Sequence, residues 1–183
     1  MSATHYPKVQ IFLHWFSLLL IGLTYINIHL RDLDLTFDWY DLMMDTHYTL
    51  GILVFFTVFI RLIVRHLYIK RTPEILPTPP VWQNKLAHYA HLALYLLFIL
   101  IPIFGVLTVL NKGFNVTFFG YTIFTGFSAN PETAHSIKEI HETLTNIGLI
   151  FIGLHALAAL YHHYIVKDNT LLRMMPNRTR SGE

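Results

Sequence analysis

Four histidines fall at matching depths in the apolar stretches of this sequence. His141 and His155 lie fourteen residues apart in the last stretch, His14 lies near the start of the first, and His47 lies near the start of the second. Fourteen residues of α-helix place two side chains within about 40° of one face and about 21 Å apart along the axis. If successive helices alternate in direction, His14 comes level with His155, and His47 with His141.

Imidazoles that face each other across two helices suit one chemistry in particular. The iron of a b-type haem takes one axial ligand above the porphyrin and one below. The histidines therefore predict two haem b groups, one held by His14 and His155 and the other by His47 and His141. The sequence contains no cysteine, which excludes an iron–sulfur cluster and a covalently attached haem. Any one of these histidines, taken alone, could instead form a hydrogen bond between helices.

Two glycines lie where a flat porphyrin needs a backbone without side chains. Gly51 follows His47 by one turn, and Gly148 lies midway between His141 and His155, seven residues from each. Glycines also allow ordinary close packing of membrane helices. We predict that Gly51 and Gly148 pack against haem.

A further group of histidines marks one end of the third and fourth stretches. His88 and His91 are three residues apart at the start of the third stretch, and His162 lies at the end of the fourth. A quinone head group needs hydrogen-bond donors and a supply of protons near the membrane interface, and histidine provides both. These three residues form the predicted quinone and proton site, unless they extend to water.

The elements that carry these residues follow from composition. Of the 183 residues, 54% are hydrophobic and only 13% are charged, and the mean hydropathy is +0.46. Such a chain is too apolar for a soluble domain. Four stretches, 9–29, 47–67, 86–110 and 143–165, approach the ~20 residues that a helix needs to span a bilayer. The predicted fold is all-α: one integral membrane domain over residues 1–183, folded as an up-down-up-down four-helix bundle.

The distribution of basic residues predicts the orientation. Ten Lys and Arg lie in the N-terminal segment, in the second connection counted from Arg61, and in the C-terminal segment. The first and third connections hold three, against eight acidic residues. Because short cytoplasmic segments carry an excess of Lys and Arg, both termini are predicted to be cytoplasmic. The haem of His14 and His155 is then the inner one, and the haem of His47 and His141 the outer one. The net charge of +2 hides this asymmetry and says nothing about nucleic acid; the basic clusters are the usual cytoplasmic flanks of membrane helices, and no nucleic-acid partner is expected.

Local signals predict where helices begin and end. Ser136 and Glu139 fit a capping box, which predicts that the fourth helix begins at Ser136. Acidic residues within 38–45 suit the start of the second helix. Four prolines between residues 71 and 82 predict a connection that is not helical throughout.

These residues occur in motifs that resemble the bacterial cytochrome b561 family and, within it, the four-helix di-haem superoxide oxidases. The resemblance runs nearly from end to end. It rests on Gln10-Ile-Phe-Leu-His14-Trp15, His47-x-x-x-Gly51, Leu86-Ala-His88-x-x-His91, His141-Glu-Thr-Leu-x-Asn-x-Gly148, Gly153-Leu-His155 and His162-His163-Tyr164.

The resemblance implies an activity and its partners. It implies two haem b groups with the pairing given above, in a multi-pass protein of the bacterial inner membrane. Superoxide on the periplasmic side would be the electron donor and ubiquinone the acceptor, with no obligatory protein partner. Because the outer connections are rich in acid, Arg31, Lys112 and Lys138 would need to form a local positive patch near the outer haem. Lys138, one turn before His141, is the predicted residue for steering superoxide, and it could also pair with an outer haem propionate. The alternative for Lys138 is an interfacial anchor.

Two other functions compete with this one. A di-haem protein of this size could be a quinone-linked electron-transfer subunit of a larger respiratory complex. A divalent-metal transporter could use His88, His91 and the adjacent His162 and His163. That class normally needs carboxylates near the middle of the membrane, and here they lie at or beyond the ends of the predicted spans.

Overall fold

The structure is a computed structural model, and it describes residues 4–31 and 37–176. Four long helices account for most of the chain. They are α1 (Lys8–Leu30), α2 (Phe37–Leu67), α3 (Val81–Asn111) and α4 (Pro131–Tyr161), and a short hairpin of β1 (Val116–Phe118) and β2 (Tyr121–Phe124) lies between α3 and α4. Single helical turns follow α2 at Ile69–Arg71 and lie near the C-terminus at Leu172–Met174, and a π-helical turn at His162–Val166 continues α4.

All four helices are long and apolar enough to cross a membrane. Helices α2, α3 and α4 have 31 residues each, which corresponds to about 46 Å and exceeds the ~30 Å hydrocarbon core. Their ends therefore extend into the interfacial regions. Large apolar side chains such as Phe12, Leu154 and Leu157 are more than half exposed on the outside of the bundle. The predicted membrane four-helix bundle is confirmed.

The bundle consists of two helix pairs. Helix α1 packs on α2 and α3 packs on α4, while α2 and α3 join the two pairs. Its central core contains Leu20 and Ile21 of α1, Val54 and Val58 of α2, and Phe98 of α3. By contrast, α4 makes few contacts with α1 or α2. We call the end at which α1 begins and α4 ends the terminal end, and the opposite end the hairpin end.

The β-hairpin closes the hairpin end of the bundle. Val116 is 1% exposed and packs with Ile52, Val109 and Leu110. The backbone N–H of Phe119, in the turn between the strands, donates to Thr49 Oγ1 of α2 at 3.0 Å. The sequence did not predict this element, because two strands of three and four residues are too short to show an alternating pattern.

Helix α4 begins earlier than predicted. Asn130 is its N-cap, since Asn130 Oδ1 accepts from the backbone N–H of Thr133 at 3.0 Å, and Pro131 occupies the first turn. The prediction of a start at Ser136 is wrong. Ser136 instead donates from Oγ to the carbonyl of Glu132 within the helix, because an asparagine followed by proline provides a start signal one and a half turns upstream.

The C-terminal tail joins the terminal ends of the helices. Asn169 accepts from the backbone N–H of Leu76 at 2.9 Å and donates from Nδ2 to the carbonyl of Glu74 at 3.1 Å. Arg173 donates to the carbonyl of Pro73 at 2.5 Å. The indole N–H of Trp15 donates to a tail carbonyl, that of Met174, at 2.9 Å. The tail therefore connects α1 with the non-helical connection between α2 and α3.

Candidate functional site

The structure brings the predicted histidine partners together in two places. His14 of α1 lies beside His155 of α4, with ring centres 6.2 Å apart. We call these two residues the terminal pair. Since His14 is near the start of α1 and His155 near the end of α4, the two helices run in opposite directions.

The second place lies toward the hairpin end. His47 of α2 and His141 of α4 have ring centres 6.4 Å apart, with the ring planes at 83°. We call these two residues the hairpin pair. All four imidazoles are partly buried, and α4 supplies one imidazole to each pair. The two pairs therefore lie one above the other along a single helix.

The spacing within each pair suits a metal ion held between the rings. A metal–imidazole bond is about 2.0 Å long and the ring centre lies about 1.2 Å behind the bonded nitrogen, which gives about 6.4 Å between two ring centres. Both observed separations, 6.2 and 6.4 Å, are close to this value. Two neutral imidazoles in direct contact would pair an N–H of one ring with the lone pair of the other. Nothing in that contact would require a separation of 6.2 to 6.4 Å between the ring centres. The donor set thus fits the bis-histidine iron of haem b.

His141 is held in the orientation that such a ligand needs. Its Nδ1–H donates to the carbonyl of Ile101 on α3 at 2.9 Å, which leaves Nε2 with a free lone pair. A Cβ added at Gly105, one turn further along α3, would come within 3.0 Å of the His141 ring. Gly105 therefore admits the imidazole against α3. The sequence analysis missed Gly105, because only the packed structure shows which helix the ring leans on.

Its partner His47 lacks an equivalent anchor. Nδ1 of His47 is buried and has no hydrogen-bond partner within residues 4–31 and 37–176. The Thr24 backbone on α1 lies beside this ring, outside the geometry of a regular hydrogen bond. His47 therefore has a weaker anchor than His141.

The glycines divide into two groups. A Cβ added at Gly51 would meet no atom within 4 Å, and the same is true of Gly22 and Gly153. Gly51 therefore faces open space in the described part of the chain, and its packing against haem stays a prediction. At Gly148, by contrast, a Cβ would lie 3.2 Å from Ile101 Cδ1 and 3.6 Å from a ring atom of Phe98, both on α3. In the structure Gly148 thus allows α3 to approach α4 closely. These contacts are with a neighbouring helix, whereas the prediction placed Gly148 against haem.

The predicted quinone residues are only partly brought together. The ring centre of His91 lies 5.4 Å from that of His155, so His91 belongs to the surroundings of the terminal pair. His88 is exposed and its ring packs edge-on against its neighbour Tyr89. The geometry therefore associates His91 with the predicted inner centre, and it leaves His88 at the surface.

His162 has a partner that the sequence analysis missed. Its Nδ1 lies 2.5 Å from Oδ2 of Asp168, whose side chain is 1% exposed, and Asp168 Oδ1 accepts from the backbone N–H of Thr170 at 2.8 Å. Burial alone would raise the pKa of the Asp168 carboxyl group, but the hydrogen bonds from His162 and Thr170 outweigh it and hold the pKa below its ordinary value. Asp168 is thus ionised at neutral pH and binds Nδ1 of His162, which leaves Nε2 available.

Arg61 lies in a different place from the one predicted. Its basic side chain was counted with the connection after the second span, but Arg61 lies inside α2, six residues before the helix ends. It is partly buried, and its guanidinium contacts His14 and Ser17 of α1. An arginine inside an apolar run is a sequence signal for such a position, because a charge within a span is costly unless it has a function.

At the hairpin end, Lys138 is partly neutralised. Lys138 Nζ lies 2.6 Å from Oε1 of Glu142, and about half of each side chain is exposed to solvent. Both residues belong to the same helix as His141, one turn before it and next to it. The predicted steering cation therefore has an acidic partner that the sequence analysis did not consider.

A comparison with known families assigns the chain. The model of the prokaryotic cytochrome b561 family matches residues 5–177. The chain belongs to this family. As a cytochrome b561, it binds haem b, transfers electrons within a membrane, and is a multi-pass protein of the bacterial inner membrane.

Individual relatives agree with the family assignment. Cytochrome b561 homolog 1 of Escherichia coli (strain K12) is 44% identical over 180 residues, covering 94% of this chain and 98% of the relative. The probable superoxide oxidase CybB of Yersinia pestis is 38% identical over 173 residues, covering 94% and 97%. Cytochrome b561 homolog 2 of E. coli is 29% identical over 181 residues, covering 96% and 95%. This cytochrome b561 is thus similar to these proteins over nearly its whole length.

Proposed function

We propose that this cytochrome b561 is a di-haem superoxide:ubiquinone oxidoreductase, with the hairpin end at the periplasm and the terminal end at the cytoplasm. The observation that carries the proposal is the presence of two facing imidazole pairs along one membrane-spanning helix, since they provide an electron route between the two faces. The excess of Lys and Arg at the terminal end supports the orientation. The Y. pestis relative named a probable superoxide oxidase supports superoxide as the donor.

The bound haems supply reversible one-electron chemistry, and the protein holds and tunes them. His14 and His155 would ligate the inner iron, and His47 and His141 the outer one. The carbonyl of Ile101 fixes the tautomer of His141, which leaves Nε2 for the iron. These residues would hold the two haems at two different depths of the membrane.

The overall reaction balances two one-electron donors against one two-electron acceptor. Two superoxide anions each lose one electron and leave as oxygen, while ubiquinone takes up the two electrons and two protons and becomes ubiquinol. In the proposed orientation superoxide is consumed at the hairpin end, and the protons come from the terminal end. This reaction needs no further oxidant or reductant.

His162 would supply hydrogen bonding and protons to ubiquinone. Asp168 accepts from the Nδ1–H of His162, so Nε2 carries a lone pair in the neutral ring and would donate to a quinone oxygen in the doubly protonated imidazolium. His162 also lies seven residues after His155, and this spacing places both side chains on nearly the same face of α4, about 10 Å apart along the axis. The acceptor would therefore be close to the inner haem.

The function is tested with the purified protein alone. We expect a superoxide source to reduce the haems and, when ubiquinone is added, to produce ubiquinol with no second protein present. The measurements are the reduced-minus-oxidised absorption spectrum and the ubiquinol yield. A subunit of a larger respiratory complex would require its partner enzyme, so reduction that depends on added membrane extract would overturn the proposal.

A charge change at Glu142 is expected to accelerate the reaction with superoxide. Glu142→Gln removes the acidic partner of Lys138 and should increase the second-order rate constant by about twofold at low salt, because an anionic substrate is attracted by local positive potential. Lys138→Glu should reduce it several-fold. The measurement is stopped-flow haem reduction by superoxide.

Salt dependence and location provide the controls for this prediction. The differences should shrink at high ionic strength, where screening shortens the range of charges. Lys85→Glu changes an exposed lysine near the start of α3, at the terminal end, and should leave the rate unchanged. If Glu142→Gln and Lys138→Glu react at the wild-type rate in low salt, Lys138 has no part in steering superoxide.

His162→Ala is expected to impair quinone reduction selectively. We expect ubiquinol formation to fall by about a hundredfold, the low end of the effect of losing a positioned proton donor, while superoxide reduces the haems at the normal rate. The matched control is His163→Ala, because His163 is the next residue and packs only on its neighbour Tyr164 among the ring contacts described. Equal loss in both variants, or none in either, would refute a role for His162 at the quinone.

A further inference from the structure

Arg61 connects three helices through contacts at the terminal pair. Its Nη1 donates to Ser17 Oγ at 2.7 Å, and its Nη2 lies 3.1 Å from Nδ1 of His14. The guanidinium carbon lies 5.6 Å from the centre of the Tyr95 ring on α3. Ser17 is 2% exposed, so this end of the side chain is in the interior of the bundle.

The surroundings of Arg61 contain positive charge but no anion. Its partners are the Ser17 hydroxyl, the His14 imidazole and the Tyr95 side chain, and Arg61 forms no ion pair with Asp or Glu in the described part of the chain. The guanidinium carbon of Arg65 also lies 5.8 Å from the Tyr95 ring centre. A cation inside a membrane span is costly unless an opposite charge accompanies it. The cluster of Arg61, Arg65 and Tyr95 therefore lacks an anionic partner of its own.

The contact with His14 also indicates that Arg61 needs an anionic partner. A guanidinium only donates hydrogen bonds, so Nδ1 of His14 acts as the acceptor in the observed contact. When Nε2 of an imidazole ligates a metal, Nδ1 carries the remaining proton and becomes a donor. Arg61 then requires a different acceptor close by. A carboxylate is the group that a guanidinium binds best, through two parallel hydrogen bonds.

We propose that Arg61, assisted by Arg65, binds a propionate carboxylate of the haem at the terminal pair and raises the reduction potential of that haem. This inference rests on the proposed function, because it requires a haem b at the terminal pair. Haem b carries two propionates, which supply the missing negative charge. A fixed cation near the iron favours the reduced form, since reduction removes one positive charge from the centre.

Redox titration of the purified holoprotein tests whether Arg61 raises the reduction potential of the haem at the terminal pair. Arg61→Gln should lower the midpoint potential of one haem by about 59 mV. For a one-electron couple this corresponds to a tenfold change in the reduction equilibrium. Arg61→Lys should retain most of the wild-type potential. The matched control is Arg71→Gln, because Arg71 also lies 5.6 Å from a tyrosine ring, that of Tyr68, but is exposed outside the long helices. A potential that is unchanged in Arg61→Gln with both haems bound would overturn the proposal.

Infrared spectroscopy tests whether Arg61 binds a haem propionate, and this measurement does not depend on enzyme turnover. Cells supplied with 5-aminolevulinate that is ¹³C-labelled at the carboxyl carbon produce haem with labelled propionates. We expect the labelled carboxylate bands in the reduced-minus-oxidised difference spectrum to shift in Arg61→Gln and to stay in place in Arg71→Gln. Identical bands in wild type and Arg61→Gln would refute carboxylate binding, even if Arg61→Gln has lost stability and its potential is difficult to interpret.

The two proposals fail in different ways. If the propionate bands shift in Arg61→Gln but wild-type protein forms no ubiquinol with superoxide, the proposed donor and acceptor are wrong and the carboxylate site stands. If wild-type protein turns over normally and neither the bands nor the potentials respond to Arg61→Gln, the carboxylate site is wrong and the proposed function stands.

Discussion

Replacing His155 by alanine is expected to reduce the haem b content from two groups per chain to one. The terminal pair would lose one of its two axial ligands, whereas the hairpin pair, whose imidazoles are 6.4 Å apart, would keep both. His141→Ala should give the complementary result and retain only the inner haem. The measurement is haem per protein by pyridine haemochrome, combined with low-temperature spectra that separate the two centres.

The same variants test the electron route. With one centre missing, superoxide-dependent ubiquinol formation should fall to the background rate in both, although dithionite still reduces the remaining haem. His135→Ala is the control, because His135 belongs to the same helix but is exposed and pairs only with Glu139 among the ion pairs described. Two haems per chain in either His155→Ala or His141→Ala would show that the ligand assignment is wrong.

Gly105→Val is expected to remove or distort the outer haem without altering any ligand. The Cβ alone would lie 3.0 Å from His141 Cε1 and 3.3 Å from Nδ1, so the imidazole must give way by a few tenths of an ångström. The γ-methyl groups of valine should displace it further and weaken its hydrogen bond to Ile101. Overpacking of this kind costs about 1–3 kcal/mol. We expect the outer haem to be depleted, the inner haem to remain, and Gly105→Ala to show an intermediate effect in the absorption spectrum.

The control for this prediction is close in sequence. Ile103→Val changes a partly exposed side chain two residues away on α3 and should leave both haems in place. If Gly105→Val retained the wild-type spectrum and haem content, His141 would not depend on its position against α3, and the account of its orientation would have to be abandoned.

The parts of the site that could be predicted are those governed by regular geometry. A membrane forces long apolar segments into helices, so the spacing of His141 and His155 already fixes their relative direction and separation. Alternation of the helices then selects the partners His14 and His47. No knowledge of packing is needed for either step.

The parts that could not be predicted depend on which side chains meet across helices. Membrane helices are apolar on nearly every face, so the sequence does not reveal that Gly105 faces His141, or that the tail returns Asp168 to His162. Arg61 was misplaced for a related reason. A count of basic residues near the ends of the spans gives the charge on each side of the membrane but not the depth of each residue. Arg61, which lies six residues inside the helix, is therefore counted with the connection.

The seven-residue spacing on α4 has a consequence for how the two centres share the bundle. An α-helix needs 3.6 residues per turn, so a feature repeated every seven residues drifts by about 20° per repeat around the axis. Over the two repeats from His141 to His155 the ligand direction swings by about 40°, away from one neighbouring helix and toward the next. The imidazole that faces α4 changes helix over the same distance, since His47 of α2 faces His141 and His14 of α1 faces His155. A single helix that turns by this angle thus presents one imidazole to each of two neighbouring helices.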